Sequence, residues 1–255
     1  LFELGLGKNV VGRTRFCIHP AKEVKKVERV GGTKSVNMQR IHHLHPDLII
    51  AEKEENTPEM VAALEKVYPV LVTDVVDMDS ALDMISLVGR ACGVWKGGKS
   101  LVASINKEFA DIEMLAKGPS VLYLIWQDPV MVVGKHTFIN DILEKIGFNN
   151  LGKEKTGRYP VLSEQEMMHL QPEVVLLSSE PYPFKEQHLV QYQKIFPQAH
   201  VQLVDGELFS WYGSRMVHMP AYFKQLQAAI KMPGKQKLSE PSEQGLESMG
   251  PQDSA

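Results

Sequence analysis

The chain has little of what most specialised architectures require. No apolar run approaches the ~20 residues needed to cross a bilayer as a helix. Two cysteines, Cys17 and Cys92, exclude a disulfide scaffold and leave the redox compartment open. No glycine-rich dinucleotide fingerprint follows a strand, and GxxxxGK[ST], GxSxG and CxxC are all missing, so nucleotide and elbow-serine enzymes start as poor readings. Charge of one sign is also missing. The 28 basic residues against 31 acidic ones leave a formal charge of −3, which offers no general grip on nucleic acid. The opening residues, LFELG, carry no basic, apolar and small-residue series of the secretory kind, and they begin at Leu.

What is present is ordinary globular material. Of its 255 residues, 44% are hydrophobic and 23% charged, enough for one large core or two modest ones. An internal repeat organises it. Residues 37–50, NMQRIHHLHPDLII, lie over 163–176, SEQEMMHLQPEVVL, without a gap. Asn37 and Ser163 can each N-cap a short helix, and Pro46 and Pro172 forbid its continuation. Leu48-Ile50 and Val174-Leu177 read as buried parallel strands. A polar loop, a helix, an aromatic-proline pair (Tyr68-Pro69, Phe196-Pro197) and a second strand follow in both copies. Upstream, 1–12 resembles 138–152 as a helix with a C-terminal glycine, Gly7 or Gly147. The fold class expected is therefore α/β, with two pseudo-repeated lobes on parallel sheets.

The second half also has a strand, Val121-Trp126, before its copy of that helix, and the first half has none. We therefore expect one strand and its loop of the first copy to be missing before Leu1. Between the halves, Asp79–Cys92 and Lys99–Lys117 show helical periodicity, the second long enough to serve as a rigid strut. Gly-Gly pairs at 31–32 and 97–98 read as turns. The expected organisation is an incomplete lobe at 1–78, a helical connector at 79–118, a second lobe at 119–232 and a disordered tail at 233–255, rich in Ser, Glu, Gln, Gly and Pro.

Ligands of α/β lobes sit beyond the carboxyl ends of the strands. Loops meeting that description carry Phe16, Cys17, His19, Trp126, Tyr159, Trp211, Tyr212 and Arg215. Flat rings beside a few donors suit a large, partly apolar, planar ligand better than a small ion. His42, His43 and His45 read as an ordinary helix end, since the repeat places Met168 and Gln171 opposite His42 and His45; His19 can serve as an axial metal ligand, and Cys92 reads as core. Glu59 and Glu186 fall at equivalent points of the two copies near helix starts, where the helix dipole favours carboxylates and where paired carboxylates can also dock on a symmetric partner.

The phrases GLGKNVVGRTRFCIHP, HLHPDLII, LIWQDPVMVVGKHTFINDIL, GRYPVLSEQEMMHLQPEVVLLSSEPYPF and DGELFSWYGSR resemble the class III, helical-backbone substrate-binding proteins of ABC importers. That is the cobalamin and iron-siderophore family, and the likeness is strongest to its vitamin B12-binding branch. The resemblance spans about residues 1–230. It implies two lobes joined by a long helix, and capture of cobalamin or another metal chelate between them. It implies no catalysis and no catalytic cofactor, a monomer in the periplasm or at the cell-envelope exterior, and delivery to a dimeric membrane permease through Glu59 and Glu186. It makes Phe16, Cys17, His19, Trp126, Tyr159, Trp211 and Tyr212 cleft candidates. Haem or a ferric siderophore, a bare metal ion, and a chelatase-like tetrapyrrole enzyme are the alternatives.

Overall fold

A computed structural model describes residues 1–115 and 118–231. The N-terminal lobe starts with turns and a 3-10 segment, Gly7–Asn9, where the repeat predicted a helix. Gly5, at φ 76°, interrupts that stretch before a second helical turn can form. Then come β1 (Gly12–Thr14), α1 (Ala21–Val24), β2 (Glu28–Gly31), α2 (Met38–Leu44), β3 (Ile49–Glu52), α3 (Pro58–Glu65) and β4 (Val70–Thr73). Asn37 caps α2 by accepting from the Arg40 amide, and the helix stops at His45 in the left-handed region, one residue before Pro46. β1 pairs with β2 and β3 with β4, both parallel, as two separate two-stranded sheets.

The connector is a helical hairpin of α4 (Met78–Ala91) and α5 (Trp95–Ala110). The strut therefore starts four residues before the predicted Lys99 and stops at Ala110, 16 residues or about 24 Å long. The physical reason is Gly97-Gly98, which sits inside α5 and forms no turn. A Cβ on Gly89 of α4 would stand 3.3 Å from the Gly98 Cα, so the two glycines let the helices touch and the packing offsets their poor helix propensity. Cys92 is half-buried at the end of α4, in the C-cap rather than the core. The tail, 233–255, and Lys117 lie outside the described residues.

The second lobe contains β5 (Ser120–Trp126), β6 (Met131–Val132), α6 (Phe138–Lys145), β7 (Asn149–Asn150), α7 (Glu164–His169), β8 (Val174–Ser178), α8 (Glu186–Ile195), β9 (His200–Val204), α9 (Glu207–Ser210) and α10 (Met219–Lys231). Its sheet runs β6-β5-β8-β9 with β7 also on β5, and β6 is the antiparallel member. Ser163 caps α7 in a capping box with Glu166, as the repeat predicted. Strand alternation sends Val121, Tyr123 and Ile125 into one core, with α6 and α10, and Leu122 and Leu124 into the other, with Tyr192 of α8. Met78, Ala81, Ile85 and Ile105 of the hairpin belong to the first core, so the connector is packed into the second lobe.

The two copies differ in how well their strands are covered. β7 and β8 are joined through β5, whereas their counterparts β1 and β3 do not pair with each other. Ile50 is 37% exposed, and its repeat mate Leu176 is fully buried.

Candidate functional site

The strand ends of the two lobes face one another, and ionic bridges join them. The first runs from the loop after β1. Arg13 is buried and donates to the carbonyls of Val24, Thr14 and Cys17 at 2.7, 3.1 and 3.1 Å, which fixes the loop carrying His19. His19 Nε2 lies 2.8 Å from Glu207 Oε2 at the start of α9, and Arg215 Nη2 lies 2.9 Å from the same oxygen. The Trp211 ring stands edge-on to His19 at 5.5 Å, with the Arg215 guanidinium 6.0 Å from the Trp211 ring.

Trp211 is held from beneath. Its Nε1 donates to Glu180 Oε1 at 2.6 Å, and Ser210 Oγ donates to the same oxygen at 2.8 Å. Burial pushes the Glu180 carboxyl above its usual range, and the two donors pull it back. Gly206 makes this possible, because a Cβ there would stand 2.5 Å from Ser178 Oγ and 2.6 Å from Glu180 Cγ. Burial and the neighbouring Glu207 raise Asp205 in the same way.

The second bridge joins the loop after β3 to the loop before α7. Arg158 Nη2 lies 3.0 Å from Glu54 Oε2, and the Tyr159 hydroxyl bonds the same carboxylate. Tyr212 packs edge-on against Phe138 at 5.5 Å and feels Glu52, Glu54 and Glu55 from the opposite lobe. Burial, followed by these carboxylates, holds both phenols far above the ordinary tyrosine range. Glu52 Oε1, Arg158 Nε and Arg215 Nε are buried without a hydrogen-bond partner, three unused polar atoms where the lobes meet.

The structure thus brings together His19, Trp211 and Arg215 in one group and Tyr159 and Tyr212 in another. It leaves the others apart. Phe16 is 50% exposed under the Arg15 guanidinium, Cys17 is exposed beside Thr14, and Trp126 is 39% exposed against Tyr182. Glu59 is the second residue of α3 and Glu186 the first of α8, both exposed. His42 bonds the Tyr68 hydroxyl through Nδ1, and among the described residues no group of three or more His, Cys, Asp or Glu could hold a metal ion. Sequence reasoning did not place Glu54, Glu180 or Glu207 in the cleft. Their signal was position alone, each being an acid just beyond a strand.

Glu52 accepts from the Glu54 and Glu55 amides through Oε2, yet burial dominates and raises its carboxyl above 4.5. A raised carboxyl stabilises the fold at pH values below 4.5, and that contribution is lost as pH rises through the folded-state pKa. Glu52→Gln keeps the acceptor and removes the charge. The expected outcome is a melting temperature about 2 °C above the parent at pH 7.5 and equal to it at pH 4, read by calorimetry.

Residues 1–198 match the family model described as a periplasmic binding protein. An uncharacterized ABC transporter substrate-binding lipoprotein, YvrC of Bacillus subtilis, is 30% identical over 186 residues, which cover 69% of this chain and 58% of that protein. A vitamin B12-binding protein of Vibrio cholerae is 21% identical over 181 residues, covering 69% of this chain and 65% of its own length. These matches therefore span less than two thirds of the curated relatives. Among solved structures, the apo periplasmic heme-binding protein RhuT from Roseiflexus sp. RS-1 superposes with a TM-score of 0.77 at 22% identity, covering 90% of this chain and 92% of that one. The periplasmic vitamin B12-binding protein BtuF of Vibrio cholerae gives 0.71 at 16% identity, covering 90% and 92%. With two lobes, facing strand ends and a family match over most of its length, this chain belongs to the periplasmic binding protein family.

Proposed function

We propose that this protein captures a corrinoid-type metal chelate between its lobes, outside the cytoplasm, and hands it to an ABC importer. The observation that carries this reading is the composition of the facing strand ends. Trp211, Tyr212 and Tyr159 supply ring surface, while Glu52, Glu54, Glu55, Glu180, Asp205 and Glu207 supply acceptors. A corrinoid periphery of amides donates to such acceptors and carries no carboxylate to repel them. The same lining disfavours haem, whose two propionates meet like charge. The relatives named as vitamin B12-binding support the corrinoid assignment. Glu59 and Glu186, exposed at matching helix starts, are the proposed contacts to the permease.

Equilibrium dialysis with cyanocobalamin, haemin and a ferric hydroxamate tests this. Cyanocobalamin is expected to bind with a Kd below about 10 μM, a stabilisation of about 7 kcal/mol. Failure of all three to bind a protein with intact circular dichroism overturns the reading.

A further inference from the structure

The two bridges that cross between the lobes share a construction. In each, a carboxylate of one lobe holds a nitrogen-bearing side chain of the other: Glu54 of the first lobe with Arg158 of the second, and Glu207 of the second with His19 of the first. Both lie at the strand ends where a ligand between the lobes must sit, and both flank rings, Tyr159 in one case and Trp211 in the other. A ligand entering there has to break them. On opening, Glu207 keeps Arg215 of its own lobe, whereas Glu54 loses Arg158 and cannot stay unpaired in a half-buried site without cost, so the ligand itself has to replace that donor.

We infer that Glu54 and Glu207 form a double latch that ties the lobes together across the cleft and selects ligands by what can replace Arg158. This rests on the proposed capture of a chelate between the lobes. A ligand rich in N–H donors, or a cationic one, satisfies the released Glu54 carboxylate. A ligand bearing carboxylates satisfies only the released Arg158 and sets its own charge against the rest of the lining. Opening frees Arg158 together with Glu54, so the sign is decided by the acids left over. Glu52, Glu55, Glu180 and Asp205 remain, against Lys34, bonded to the Glu54 carbonyl, and Arg215. The balance is acidic. Affinity for any ligand is also reduced by the fraction of molecules held shut, so loosening the latch raises the binding-competent fraction.

The test separates the latch from the ligand. Spin labels at Lys66→Cys and Lys194→Cys, both exposed and on opposite lobes, are placed in a C17S/C92S background. In the ligand-free protein, Glu54→Gln with Glu207→Gln should lengthen or broaden the inter-lobe distance distribution. Arg158→Gln, which breaks one bridge from its other end, should do so as well. Unchanged distributions in both overturn the latch. For selection, dialysis compares haemin with cyanocobalamin on the parent and the double glutamine variant. Haemin affinity should rise about tenfold relative to cyanocobalamin once the two charges are removed. Equal changes for both ligands overturn the selection. If the parent binds neither ligand, the capture reading and the selection fall together, and the distance measurement still decides whether the latch exists.

Discussion

Replacing Trp211 by alanine is expected to weaken cyanocobalamin binding about 30-fold, or about 2 kcal/mol, measured by equilibrium dialysis. The size follows from the ring's position. It lies between His19 of the first lobe and Arg215 of the second, so a ligand separating the lobes uncovers its face. Its orientation is set in advance by the Glu180 bond at 2.6 Å, which removes part of the ordering cost on binding. Phenylalanine keeps a ring and loses that bond, so Trp211→Phe should fall between the two, about fivefold weaker than the parent. Trp95 serves as the control. It is exposed at the start of α5 with Lys96 over its ring, and Trp95→Ala should leave affinity unchanged. Parent-like affinity in Trp211→Ala would remove the indole from the site.

How much of this was legible in the sequence depended on the range of the interaction. The caps at Asn37 and Ser163, the stops at Pro46 and Pro172 and the buried strand at 174–178 are local, set by side-chain chemistry within a few residues. The repeat added order, and the family likeness added the two-lobe arrangement that the fold confirms. The interior glycines of α5 were misread because glycine signals a turn in isolation and a close helix contact in a hairpin, and only the partner helix distinguishes them. The site divided in the same way. Aromatics after strands stand out, whereas Glu207 acquires its meaning from His19, 188 positions earlier, and no local pattern encodes that bridge.

The largest loss of stability is expected from a ring that touches no ligand. Phe209 is fully buried in α9, with Tyr123 and Phe223 each 4.9 Å away and Tyr222 at 6.2 Å. Phe209→Ala removes the ring from a packed aromatic cluster whose members are fixed by other bonds. The Tyr123 hydroxyl reaches Ser178 Oγ at 3.1 Å, and the Tyr222 hydroxyl accepts from the Asp205 amide at 2.8 Å. The neighbours cannot collapse into the cavity without breaking those bonds, so the cost should lie near the upper end of the usual range, about 4 kcal/mol by urea unfolding. Phe209→Leu, which refills most of the volume, should cost about 1 kcal/mol. The same turn of helix carries Glu207 and Ser210 and leads into Trp211, so the cavity also releases the platform beneath the bridge to His19. Loss of stability and loss of cyanocobalamin binding should therefore appear together in Phe209→Ala and both recover in Phe209→Leu. An alanine variant that loses several kcal/mol yet binds as the parent does would mean that the α9 platform and the cleft are energetically separate.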